Sequence, residues 1–294
     1  YMEYAMQISN SKQLLIGQDG KWLALAESIR QKQPVGARSL NAFVMLRGHK
    51  AIDREQAAKR FVESISARKQ GARLLQTLFN DSVKFQQRQA IPAPVRHKLV
   101  DLALANADID LASEIMATIE EPPPGADQFM WQLRRARILV LGSKPSVGAS
   151  ALHEILDANP KMEQVQFDRL MQVIFDLQTA GEYESAYTMF AKAMTRTTDE
   201  KLQREIYYWM AESRKAQERY DEAAQLYLQS AMHPDPKNMD PWAQTAHYQA
   251  ADALARAGMV DDAQTLFERL LRVTEDPTRR ATLKNELQKL WAKQ

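Results

Sequence analysis

Residues 168–194, DRLMQVIFDLQTAGEYESAYTMFAKAM, return twice further along the chain in altered form. A repeated unit of this length restricts the possible folds more than any other feature of the sequence. Each copy reads as two amphipathic helices joined by a tight turn. In the first, Gly181 supplies the turn, and Tyr183, Ala186, Phe190 and Ala193 follow at helical spacing. The second copy, REIYYWMAESRKAQERYDEAAQLYLQSA, places Tyr220, Ala223 and Tyr227 where Tyr183, Ala186 and Phe190 stood, with Glu218 in place of the turn glycine. The third, TAHYQAADALARAGMVDDAQTLFERLL, offers Gly258, Val260, Ala263 and Phe267. The period lies in the range of helical-hairpin repeats. A glycine can take positive φ where the first helix ends. The small Ala lets the two helices of a hairpin approach, and the ring four residues on lies on the same face and fills the space between hairpins. One hairpin cannot bury that face alone, so the copies must stack.

The pattern resembles the tetratricopeptide repeat family. Ala186-x-x-x-Phe190, Ala223-x-x-x-Tyr227 and Ala263-x-x-x-Phe267 carry the resemblance, each preceded by a turn and an aromatic residue or Val. Two features depart from it. The family's Trp near the start of the first helix is absent, and the Pro that closes a repeat is missing or displaced, to Pro236 and Pro277. The resemblance is clearest from residue 166 onward. It implies an all-α, right-handed superhelical solenoid of antiparallel hairpins whose first helices line a concave groove. Helical hairpins of another solenoid class are the alternative reading.

The rest of the chain reads as helical too: only 10 Gly interrupt a sequence rich in Ala, Leu, Gln, Glu, Lys and Arg. Residues 1–90 are expected to form a helical N-terminal subdomain or irregular cap. Within them, a polar, loose start precedes a helix carrying Trp22, Leu23, Leu25, Ala26 and Ile29 after the turn at Gln18, Asp19 and Gly20; Pro34, Val35 and Gly36 break it. A short helix with Phe43, Val44 and Leu46 ends near Gly48. Asp53 reads as the cap of the next helix, with Gln56 three residues on and a stripe of Ala58, Phe61, Val62 and Ile65. Past Gly71, Leu74, Leu75, Leu78, Phe79 and Val83 form a second stripe. Pro92 and Pro94 mark a boundary.

Residues 91–165 read as degenerate hairpins. The first pairs residues 95–105 with 109–119 around a turn near Asn106, and Ala112 and Met116 stand in for the Ala and ring of the later copies. The run from Glu121 to Gly125 ends it as a stiff proline turn. The second pairs residues 127–141, ended by Gly142, with 146–157, where Leu152, Ile155 and Leu156 point inward. Residues 166–277 hold the well-formed repeats. Residues 278–294 supply a capping helix, with Leu283, Leu287, Leu290 and Trp291 covering the last apolar face.

Little in the sequence suggests chemistry. There is no cysteine, which removes disulfides, thiol catalysis and Cys-based zinc sites; its absence fits an envelope protein without fixing a compartment. The five histidines (His49, His97, His153, His233, His247) have no ligand spacing, and Gly-rich phosphate loops, H-E-x-x-H and G-x-S-x-G are all missing. No catalytic residue, cofactor or metal is expected, and the protein is read as a non-enzyme. A net charge of +2 gives no nucleic-acid-type excess. The cluster of Arg134, Arg135 and Arg137 beside Trp131 reads as a solvated helix face. No apolar run of about 20 residues is present to span a bilayer. The opening YMEYAM reads as a cut from a longer protein, so any membrane attachment is expected through a segment outside this chain.

What is left is surface. By the resemblance, groove-facing residues are Asp168, Met171, Phe175 and Gln178 in the first good repeat. Glu205, Tyr208, Glu212 and Lys215 follow in the second, and Thr245, Tyr248, Asp252 and Ala255 in the third. Tyr and Trp anchor protein interfaces, although Tyr208, Trp209 and Tyr248 could equally pack between helices. Family members that hold an acidic chaperone tail place Lys and Asn where Tyr208, Glu212, Tyr248 and Asp252 stand here, so that partner class is excluded. The expected function is a non-catalytic scaffold that grips a peptide, helix or partner domain. By resemblance it sits in a bacterial envelope, secretion or export assembly, periplasmic or membrane-associated, with the cytoplasm as alternative. Two competing readings are a helical accessory or regulatory domain of a larger enzyme and an RNA-binding helical repeat.

Overall fold

A computed structural model of the chain describes residues 1–66, 68–81, 85–237 and 239–292. Among these, sixteen α-helices and no strand occur. The helices are α1 (Met2–Ser11), α2 (Asp19–Ile29), α3 (Pro34–Arg47), α4 (Ala51–Ser66), α5 (Gly71–Phe79), α6 (Ala93–Ala105), α7 (Ile109–Met116) and α8 (Gln128–Leu141). They continue as α9 (Pro145–Ala158), α10 (Gln164–Thr179), α11 (Tyr183–Met194), α12 (Glu200–Ala216), α13 (Tyr220–Met232), α14 (Pro241–Arg256), α15 (Val260–Val273) and α16 (Pro277–Trp291). They form two compact units, residues 1–131 with 142–144, and residues 132–141 with 145–294.

In the first unit α3 packs against α1, α2 and α4, and α4 packs in turn against α6. Trp22 stacks on Phe43 with ring centroids 4.2 Å apart, and the Tyr1 ring meets Phe61 edge-on at 5.7 Å. The Asp19 carboxylate accepts the backbone N–H groups of His49 (2.6 Å) and Lys50 (3.2 Å), fastening the start of α2 to the turn after α3. The polar start is therefore a helix docked on α3, where a loose end was expected. Pro34 does not merely stop α2: it opens α3, which is longer than the short helix anticipated, because proline suits a first helical turn. Asp53 lies inside the first turn of α4 and is not its cap. The α6–α7 hairpin buries Ala112 and Met116 as expected, although α7 stops at Met116. Val83 falls outside the described residues.

The second unit is a row. From α10 to α16 each helix packs on the next in sequence, and α9 packs on both α10 and α11. Ala186, Ala223 and Ala263 are fully buried, as are Phe190 and Tyr227, with Phe267 nearly so. Leu283, Leu287 and Leu290 of α16 are buried, but Trp291 is 54% exposed. One residue past Leu290, it is turned about 100° off the stripe. Lys293 lies outside the described residues. Helices α12, α14 and α16 each begin with an aspartate, Asp199, Asp240 and Asp276, whose carboxylate accepts a first-turn backbone N–H.

The turns are more uniform than the sequence. At Gln13, Ala107, Gly181, Glu218 and Gly258 the backbone takes φ between +52° and +85°. In each, that residue's N–H donates to the carbonyl three residues back, and the next N–H donates to the carbonyl five residues before it. This is the Schellman ending of a helix. Glycine fills two of the five places, and Glu218 takes the position expected of it.

Candidate functional site

The expected groove face belongs to the first helices of the hairpins in the second unit, α10, α12 and α14. Direct hydrogen bonds bind these helices to one another. Gln178 on α10 donates to the Trp209 carbonyl (3.0 Å) and to Ser213 Oγ (2.9 Å) on α12. Lys215 on α12 donates to Gln249 Oε1 (2.7 Å) and pairs with Asp252 (3.3 Å) on α14, and Asp252 also pairs with Arg256 (3.0 Å). At the base of the row Arg204 makes a two-bond fork to Asp240, 2.7 and 2.8 Å.

Aromatic rings run across the same face. Phe175 meets Phe190 and Trp209 at 5.3 and 5.0 Å, and Tyr208 meets Trp209, Tyr227 and Trp242 at 5.2–5.6 Å, the Tyr208 pairs edge-on. Tyr248 meets Phe267 edge-on at 5.6 Å. Phe175, Tyr208, Trp209 and Tyr248 are all half-buried. Each therefore packs between helices and keeps part of its surface outside. Met171 is different: at 6% exposure it sits in the core and offers the face almost no surface. Asp168 and Thr245 are exposed, and Glu205 and Ala255 half-buried.

Glu212 and Asp252 on this face have internal partners. Glu212 accepts the Tyr227 hydroxyl at 2.5 Å. Burial first, then Glu212, pushes the Tyr208 hydroxyl up to about 12, and the same two causes raise Tyr227. Burial, with Glu286 and Asp252 nearby, raises Tyr248 as well. An unfolded tyrosine titrates near 10, so the folded state holds these protons longer than the unfolded one does. The stability this represents is intact below about pH 10 and is lost as pH rises towards about 12 for Tyr208. Between about pH 9 and about pH 11 the melting temperature of the wild type is expected to fall more than that of Tyr208→Phe. Parallel curves would mean that the Tyr208 proton is not held by the fold.

In the Arg cluster Arg134 and Arg137 are exposed and Arg135 is half-buried. Arg137 pairs with Asp176 at 2.8 Å, and Trp131 is buried, its ring 6.2 Å from that of His97. Among the described residues no group of three or more His, Asp or Glu could hold a metal ion, and no helix is long and apolar enough to cross a membrane. Two features had no sequence signal. One is the hydrogen bonding between successive first helices. The other is a cavity of about 320 Å³ bordered by α14, α15 and α16.

Stacked hairpins with a small residue and a ring at fixed places, their first helices joined side by side, define a helical-repeat protein. Residues 246–281 match the family model of the tetratricopeptide repeat, so that α15 and the flanking parts of α14 and α16 form one such repeat. Repeats of this family are generally involved in protein–protein interaction and are typically non-catalytic. No curated protein matches the chain.

Proposed function

We propose that the second unit is a scaffold that seats a peptide or a helix of a partner protein along the face of α10, α12 and α14. The observation that carries this reading is the line of half-buried rings, Phe175, Trp209, Tyr208 and Tyr248, on first helices that are hydrogen-bonded to one another. Rings held at fixed positions lose little freedom on binding, and their exposed parts supply apolar contact. Because Lys215, Glu212 and Asp252 are paired within the protein, the face binds through ring burial, with charge setting specificity at the rim. The setting we favour is a bacterial envelope or secretion assembly, supported by the family resemblance and compatible with a chain free of cysteine.

The test uses partners recovered from native extract and identified by mass spectrometry. Changing Tyr208 and Tyr248 together to Ala is expected to cut their capture by about tenfold or more. Changing Gln225 and Thr265, exposed on the second helices α13 and α15, is expected to leave it intact. If the tyrosine pair can be removed with neither capture nor melting temperature altered, the groove reading fails.

A further inference from the structure

We propose that a basic cavity in the first unit, where α4 passes into α5, is a seat for the phosphate group of an organic phosphate ester. The cavity measures about 540 Å³, within the span of small-molecule pockets. Three cations line it, Arg68 and Lys69 from the connection and Arg73 from the first turn of α5, and no carboxylate does. The site belongs to the first unit and does not rest on the scaffold reading of the second.

Among the described residues these cations have no partner. None of Arg68, Lys69 and Arg73 pairs with a carboxylate, and the side chains of Gln70 and Thr77, which line the same cavity, make no hydrogen bond. Cavities elsewhere on the chain mix both signs. Glu27 lies 3.8 Å from Arg60 where α2 meets α4, and Arg204 forks onto Asp240 at the start of α14. Here three like charges share one space without a counter-charge, and an entering anion relieves their repulsion.

The backbone fixes where these side chains are rooted. The Arg68 N–H donates to the Ile65 carbonyl at 2.9 Å, and the Gly71 N–H donates to the Arg68 carbonyl at 2.9 Å. Gly71 is buried, and a Cβ there would run into the Ile65 carbonyl, so the connection lies tightly against the end of α4. Side chains on a fixed backbone give up less freedom on binding. A carboxylate offers two oxygens in one plane, whereas a phosphate monoester offers three around a tetrahedron and carries up to two charges. Donors rooted at three separate positions suit the phosphate. Leu74 and the Tyr1 ring give the cavity an apolar side, which suits an organic group carrying that phosphate.

The probes are phenyl phosphate, phenyl sulfate and inorganic phosphate, titrated by calorimetry against the full chain at low ionic strength. Phenyl phosphate is expected to bind tightest, ahead of the singly charged phenyl sulfate by roughly fivefold or more. Changing Arg68 and Arg73 together to Gln is expected to weaken it by about tenfold or more. Both side chains are exposed, so the melting temperature should hold. Changing Arg169 and Lys284 to Gln, exposed cations of the second unit, removes the same charge and should leave binding intact. Phosphatidylcholine vesicles containing phosphatidic acid distinguish the source of the phosphate. Co-flotation that phenyl phosphate competes away assigns it to a lipid headgroup, and no co-flotation assigns it to a soluble ester. Equal binding of phenyl sulfate, equal weakening by the two charge-matched pairs, or no binding of phenyl phosphate, whether or not a single-stranded RNA binds, would each overturn the seat.

Discussion

Phe190→Ala is expected to cost about 3–5 kcal/mol, the range for removing a fully buried ring from a core. The ring is completely buried and stands 5.3 Å from Phe175. It lies on the second helix of its hairpin, at the boundary with α12, which packs against α11. Shortening it to a methyl therefore empties the space between two hairpins, and neither helix can close in without breaking the hydrogen bonds from Gln178 to α12. Against a total stability on the order of 5–15 kcal/mol, that loss is large enough to loosen the whole row. Urea denaturation followed by circular dichroism measures it. A loss below about 1 kcal/mol would show that the site collapses freely and that the ring does not hold the hairpins apart.

The second large effect reverses an ordinary expectation. Glycine inside a helix is weaker than alanine by about 0.8–1.0 kcal/mol, so Gly148→Ala in α9 should stabilise if nothing stood nearby. A Cβ at this position would lie 2.6 Å from Val140 Cγ2, 2.7 Å from the Val140 nitrogen and 2.9 Å from the Ala136 carbonyl oxygen. Two of those neighbours are backbone of α8, which cannot swing aside as a side-chain tip can. The methyl must push α9 off α8, and overpacking of this kind costs about 1–3 kcal/mol. The overlap outweighs the propensity, so the variant is expected to melt lower than the wild type. A rise in melting temperature would mean that the two helices separate without penalty.

These two positions also mark how far the sequence could be read. Phe190 was legible because its partner in the pattern, Ala186, lies one turn away in the same helix, and the pair recurs. Gly148 was not, because what it does depends on Val140 in another helix, and no local spacing records how closely two helices approach. The same limit holds at the candidate site. Helical period placed Tyr208 and Tyr248 on one face, but period gives direction and not depth, so the burial of Met171 and the outward turn of Trp291 could not be read from it. In the first unit the local signals misled in a different way. Pro34, read as a breaker, opens α3, because the proline that ends one helix also suits the first turn of the next, and Asp53, read as a cap, lies inside the first turn of α4. The cavity beside Tyr248 is bounded by three helices, and no local spacing records a space shared between helices.

The five left-handed turns have a consequence for how such a chain can change over time. Outside glycine, a left-handed residue costs roughly 1–2 kcal/mol, yet Gln13, Ala107 and Glu218 all hold that geometry under the same two backbone bonds. At Ala107 and Glu218 the bend is held by the packing of α6 on α7 and of α12 on α13 and not by the residue at its tip, and at Gln13 it follows a helix docked on α3. Substitutions there can accumulate while the hairpins keep their spacing, and repeats that share a shape can drift until they no longer share a spelling.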